Sequence, residues 1–196
     1  MWAGLILAVL SLPLLVPWNM IPSLWLSLLS AETGILGQFL GHYGWTAAWK
    51  GSATLTWIVI LAMDTWHWTS LVVILSYSAL STIPAPLYQA AAIDGARPWQ
   101  VFRHIQLPRL RHVLLMAVLL RFMDSFMIYT EAFPINAGGP NGASLFLAID
   151  LGEEIKAFNY GPSAARSVLY FLIVLTVAWL FIKARARLDD PQAGSL

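Results

Sequence analysis

The residues able to do chemistry are few, and most of them interrupt apolar stretches. Asp64 and His67 break one such run, with Trp66 and Trp68 beside them. Arg121, Asp124 and Glu131 break another, with Ser125 and Tyr129 close by. A charge at the centre of a membrane span costs about 3 kcal/mol or more unless it faces a cavity or a partner. At 100° per residue, a helix carried through 121–131 would place Arg121, Asp124 and Glu131 within about 80° of one another on one face. Ser125 and Tyr129 would then lie near the edges of that polar stripe. Two uses fit the pattern. The stripe could line a water-filled path that offers donors and acceptors to hydroxyl groups, or Arg121 and Asp124 could form a structural i,i+3 pair. The Asp64–Trp68 cluster divides in the same way. Aromatic faces could pack against the C–H surface of a polyhydroxylated solute while Asp64 and His67 bond its hydroxyls, or Trp66 and Trp68 could be interfacial anchors.

Other chemistry is excluded or unsupported. The chain has no cysteine, so disulfides, thiolate metal sites and a Cys nucleophile are absent. No Ser–His–Asp spacing suggests an enzyme, and His67 alone is not a metal site. No G-x-x-x-x-G-K-[ST] run occurs, so any ATP hydrolysis belongs to another chain.

These residues must be positioned by membrane helices. The chain is 59% hydrophobic and 11% charged, against about 25% charged for an ordinary soluble domain. A span needs roughly 20 apolar residues. Four segments reach that length: about 2–29, 53–80, 113–133 and 167–182. The first contains Pro13, Pro17 and Pro22 and fits one kinked span plus an interfacial turn. No positive region precedes it, which argues against a secretory signal. The expected fold is therefore an all-α integral membrane domain over 1–184 with a tail over 185–196.

Charge sets the orientation. Arg97, Arg103, Arg109 and Arg111 fall between the second and third spans, and Lys183, Arg185 and Arg187 follow the fourth. Both regions are expected to be cytoplasmic. The connection holding Asp150, Glu153, Glu154 and Lys156 is expected outside, as is the nearly neutral loop from Glu32 to Lys50. Gly138-Gly139-Pro140 reads as a turn in that outer connection.

The inner loop, 86–108, predicts a short helix, a sharp turn and a second short helix. Ala90, Ala91 and Ala92 favour helix, Gly95 permits a tight reversal, and Pro98 suits a first helical position. Trp99, Phe102 and Ile105 form an apolar stripe at three-residue spacing, and Pro108 is expected to stop the helix. Such a lug, apolar on one face and basic at its rim, suits docking into a groove on a partner protein. An amphipathic helix resting on lipid headgroups would explain the arginines but not the placing of Gly95 and Pro108.

Gln89-Ala90-Ala91, then Gly95, then Ile105-Gln106-Leu107-Pro108 resembles the "EAA loop" of importer permeases in the ATP-binding-cassette superfamily. Gln89 stands where most members have Glu, so it can hydrogen-bond but not form an ion pair. Three further runs resemble the last third of carbohydrate-type permeases of the maltose and glycerol-phosphate group: 123–133, Gly138-Gly139-Pro140-Asn141, and 158–165. Residues 64–70, 88–92 and 121–131 look most like the glycerol-uptake permeases within that group. Members usually have six spans, so the resemblance implies that the first two are missing here.

The resemblance implies a transport role. Gln89, Ala90, Ala91, Asp94, Gly95, Trp99, Phe102, Arg103, Ile105 and Pro108 would couple the chain to a cytoplasmic ATPase. That ATPase would use ATP and Mg, and this chain would bind no cofactor itself. Implied partners are a second permease subunit, a periplasmic solute-binding protein and membrane lipid, with no nucleic acid. The implied location is a bacterial inner membrane and the implied solute a carbohydrate or polyol, glycerol first. An intramembrane enzyme using Asp64, His67 and Asp124, an inactive fragment and a non-transporting scaffold are the alternatives.

Overall fold

A computed structural model describes residues 2–44 and 47–189. Its regular elements are helical, and no strand occurs among the described residues. The side chains of the expected tail, with Arg185 and Arg187, lie outside the described residues, as does everything beyond 189.

Prolines decide how the chain enters. Helix α1 (Trp2–Leu15) ends because Pro17 has no N–H to give the Pro13 carbonyl. Val16 N–H donates to that carbonyl instead, at 3.3 Å. A 3₁₀ turn, Trp18–Met20, leads into α2 (Ile21–Leu28), with Pro22 in its first turn. The two halves meet at an 86° bend, so the first apolar segment is a bent pair. A short α3 (Ile35–Gly41) follows.

The long helix α4 (Ala53–Ser81) contains no Pro or Gly. Ser52 caps its first turn, accepting from Leu55 N–H at 3.5 Å. At its far end the Ser81 and Thr82 hydroxyls each donate to carbonyls of the last turn at 2.8 Å, before Pro84 closes off continuation. Its 29 residues make about 43 Å, more than a bilayer core.

After α4 come α5 (Ala85–Ile93) and α6 (Pro98–Val101), then a π-helical turn, Phe102–Gln106, which runs directly into α7 (Leu107–Asp124). This corrects the expected role of Pro108. The residue does not stop a helix. It occupies the first turn of α7, just after the wide turn in which Leu107 N–H reaches back five residues to the Phe102 carbonyl. The wider turn accommodates a proline that a regular helix interior would not.

The third span is also corrected: α7 begins at Leu107 and ends at Asp124, not Phe133. The Ser125 hydroxyl donates to the Phe122 carbonyl at 2.6 Å, the turn tightens over Ser125–Met127, and Ile128 is extended. Short α8 (Phe133–Asn136) and α9 (Leu147–Lys156) lead to α10 (Tyr160–Asp189). By length and composition two helices can cross a membrane alone, Ala53–Ser81 and Tyr160–Lys183, or three with the bent pair. Four had been expected; α7, which carries Arg109, Arg111, Arg121 and Asp124, does not join that set.

The core sits toward the start of α4. Ile21, Met63, Ile135 and Ile149 are fully buried there, drawing α2, α4, α8 and α9 together. Asn136 Nδ2 donates to the Thr56 hydroxyl at 3.1 Å and Trp57 Nε1 to the Ala143 carbonyl at 2.8 Å. In contrast, α10 buries little of its surface, and Phe171 and Ile173 stand exposed, as a lipid-facing or subunit-facing helix requires. Lys183 lies 4.0 Å over the Trp179 ring at its basic end.

Two tests follow. A Cβ at Gly152 would lie 2.8 Å from Cε2 of Tyr129, so Gly152→Val should cost about 1–3 kcal/mol through overpacking. The measurement is the thermal midpoint in detergent, and an unchanged midpoint would mean that the ring is free to leave. Because the chain has no cysteine, orientation can be read with single replacements. Glu153→Cys should react with an impermeant thiol reagent in intact cells, and Arg103→Cys only after permeabilisation. The reverse pattern would invert the topology.

Candidate functional site

Chemistry concentrates at two places, the hairpin between α4 and α7 and the level where the middle of α4 meets the end of α7. In the hairpin, α5 ends in nested backbone bonds. Gly95 N–H donates to the Ala92 carbonyl at 3.2 Å and Ala96 N–H to the Ala91 carbonyl at 2.9 Å. This closure needs a left-handed residue at its centre, and Gly95 has φ +66°. Arg97 N–H then donates to Gln100 Oε1 at 2.7 Å, which starts α6 with Pro98 in its first turn. Gln106 Nε2 reaches the Tyr88 hydroxyl at 3.4 Å and ties the two arms at their base.

The residues singled out for docking are arranged as follows. Gln89, Ala90, Asp94, Gly95, Trp99, Arg103 and Pro108 are exposed, Phe102 and Ile105 are half-buried, and Ala91 is buried. Trp99 and Phe102 stack with ring centres 5.5 Å apart. Ile105 leaves that stripe, because the π turn rotates it toward α5. There it lines a cleft of about 280 Å³ with Ala91, Asp94, Ala96, Gln100, Val101 and His104. Ile93, 86% exposed beside Gly95, was missed in the sequence. The signal for it was a large apolar residue immediately before the turn of a lug.

Residues 64–68 lie about 20 Å from either end of α4, near the middle of that helix. Arg121 Nη1 donates to Asp124 Oδ2 at 2.5 Å, and Nη2 donates to Asp64 Oδ2. The guanidinium also lies 5.1 Å over the Trp68 ring. The i,i+3 pair weighed in the sequence is therefore one half of a three-residue bridge joining α7 to α4. Trp18, at the α1–α2 bend, packs against His67 at 4.2 Å and Trp68 at 5.9 Å. Trp66 turns the other way, toward Trp25 at 6.1 Å. His67 is 3% exposed, and neither ring nitrogen has a hydrogen bond of ordinary geometry.

The expected single stripe on α7 does not form, because the helix ends at Asp124. Glu131 lies in the following turn, within electrostatic reach of Asp124, Asp64 and Arg121, and its Oε2 is buried without a partner. Ser125 spends its hydroxyl on the backbone. Tyr129 turns to α9, where its hydroxyl accepts from Lys156 Nζ at 2.8 Å and its ring stacks on Phe133. Glu153, then Tyr129, push the Lys156 ammonium above the usual lysine range. On α9, Asp150 and Glu154 bind Arg166 of α10 at 2.5 and 3.0 Å. No cluster of three His, Asp or Glu residues suited to a metal occurs among the described residues.

The arrangement joins α7 to α4 through a shared cation and carries an apolar lug on the hairpin between them. Residues 1–187 match the family model described as "Binding-protein-dependent transport system inner membrane component". The trehalose/maltose transport system permease protein MalF of Thermococcus litoralis is 29% identical over 181 residues, covering 92% of this chain and 61% of the relative. The diacetylchitobiose uptake system permease protein DasB of Streptomyces coelicolor is 30% identical over 170 residues, covering 84% and 52%. The chain thus spans between half and two thirds of these relatives' length. A crystal structure of a bacterial ABC transporter involved in import of the acidic polysaccharide alginate superposes with a TM-score of 0.79 at 16% identity, over 96% of this chain and 67% of that one. That likeness establishes the shared all-α fold. The chain belongs to the family of inner-membrane components of binding-protein-dependent transport systems.

Proposed function

We propose that this chain is a permease subunit of an ATP-driven importer for a neutral carbohydrate, coupled to a separate ATPase through the hairpin 85–106. The observation that carries the proposal is the hairpin itself. Its closure at Gly95 holds Ile93 and Trp99, 86% and 64% exposed, on a rigid tip at the basic end of the membrane domain. Neither side chain gains from facing water, and Arg97 and Arg103 beside them suit an acidic rim on a partner. The match over residues 1–187 supports the same reading.

In this mechanism a periplasmic binding protein delivers solute to a pair of permease subunits. The ATPase pair, holding ATP and Mg, closes against the hairpins, and the membrane helices alternate between outward and inward openings. A neutral solute is favoured because Arg121 is already shared between two carboxylates and Glu131 adds a third nearby. An anionic solute would find no uncommitted cation there. Solute contact falls to His67, buried beside the bridge, and to Glu131, whose Oε2 is buried without a hydrogen-bond partner. Sequence resemblance favoured glycerol. The relatives' names, trehalose/maltose and diacetylchitobiose, instead favour a disaccharide.

The hairpin is tested with the assembled importer. Gly95→Val places a β-branched residue at φ +66°, a strain of about 1–2 kcal/mol, whereas Gly95→Asn tolerates that region. Recovery of the ATPase subunits in detergent should fall about ten-fold for Val and stay near wild type for Asn. Equal recovery in all three would remove the hairpin from the interface. For the solute, ATP hydrolysis by the importer should rise with trehalose, maltose or diacetylchitobiose bound to the delivery protein. Stimulation by glycerol alone would reinstate the polyol.

A further inference from the structure

Arg121 bonds two carboxylates on different helices, and its place relative to the hairpin gives that bond a mechanical meaning. From Asp64 to the end of α4 at Ser81 is about 26 Å, and from the start of α7 at Leu107 to Arg121 is about 21 Å. The hairpin therefore sits at the tip of two antiparallel arms of nearly equal length, tied to each other at the opposite end. Between tip and tie the arms are thinly packed. Every buried residue of α4 lies at or before Ser70, and α7 buries only Leu110 and Ala117 among its described residues.

We infer that Arg121 is a positioning residue. Its bond to Asp64 locks the middle of α4 to the end of α7, so that a displacement of the hairpin arrives there as one motion rather than as two helices sliding past each other. This rests on the reading of the hairpin as the ATPase contact. Asp64 does the joining between helices, and Asp124, on the same helix as Arg121, orients the guanidinium. Trp68 supports its face from below. The bridging side chains are still 18–28% exposed. Lipid is a poor neighbour for that remaining polar surface, so the open side faces water or another subunit.

The inference separates two carboxylates that simple charge counting would treat alike. In the assembled importer, Asp64→Asn should lower the number of solute molecules carried per ATP hydrolysed about ten-fold, the factor for one lost charged hydrogen bond. ATPase recovery and the KM for uptake should stay near wild type. Asp124→Asn, which leaves the link between helices in place, should change the transport ratio less than about two-fold, well inside that factor. The charge-exchanged pair Asp64→Arg with Arg121→Asp should recover coupling, and it serves as the decisive variant if Asp64→Asn fails to reach the membrane. A raised KM with an unchanged ratio would overturn the inference in favour of solute contact. Equal loss from both single variants, or an exchanged pair that binds ATPase but stays uncoupled, would also overturn it. Failure of the wild-type chain to recover ATPase would strike the hairpin reading instead.

Discussion

A guanidinium in the middle of a membrane domain constrains everything around it. Arg121 cannot be left to hydrocarbon. The chain satisfies it with Asp124 one turn along the same helix and Asp64 from the neighbouring one. The bond to Asp64 joins the facing sides of α4 and α7, and the bond to Asp124 orients the guanidinium for it. The meeting in turn places Trp68 beneath the cation and presents His67 and Trp68 to the bend between α1 and α2. The break at Pro17 would be costly against lipid, since it leaves the Pro13 carbonyl without its regular helical partner and with a long bond to Val16 N–H. It is tolerable here because Trp18 and α4 cover it. One ionic demand thus organises three apolar segments.

The sequence made some of this legible and hid the rest for identifiable reasons. α4 was readable because its apolar run contains no Gly or Pro and is bounded by Ser52 and Pro84. The hairpin turn was readable because few residues other than glycine suit its φ. Pro108 was misread because proline is both a helix stopper and a good first-turn residue. Only the π turn before it, which has no sequence signature, decides between the two. The end of α7 was misread because Phe126, Met127 and Ile128 continue the apolar run past the last helical residue. The stop comes from the Ser125 hydroxyl on the Phe122 carbonyl and from Tyr129 being drawn to α9. The Arg121–Asp64 bond joins residues 57 positions apart, beyond any local periodicity.

The two ends of the domain are built to different specifications. Toward the start of α4, Ile21, Met63, Ile135 and Ile149 form a closed core, and Asn136 and Trp57 fasten the following loop to the helix. Toward its end, α4 continues well past its last buried residue, and the hairpin meets the rest of the protein through few contacts. Local stability follows packing of this kind, so motion should be cheap at the hairpin and expensive at the closed core. Such a gradient would suit the proposed alternation between two openings, because a uniformly rigid domain would not open and a uniformly loose one would leak. The Asp64–Arg121–Asp124 bridge stands where the packed half gives way to the thinly packed one, and there an ionic link between α4 and α7 would carry a displacement of the hairpin into the core.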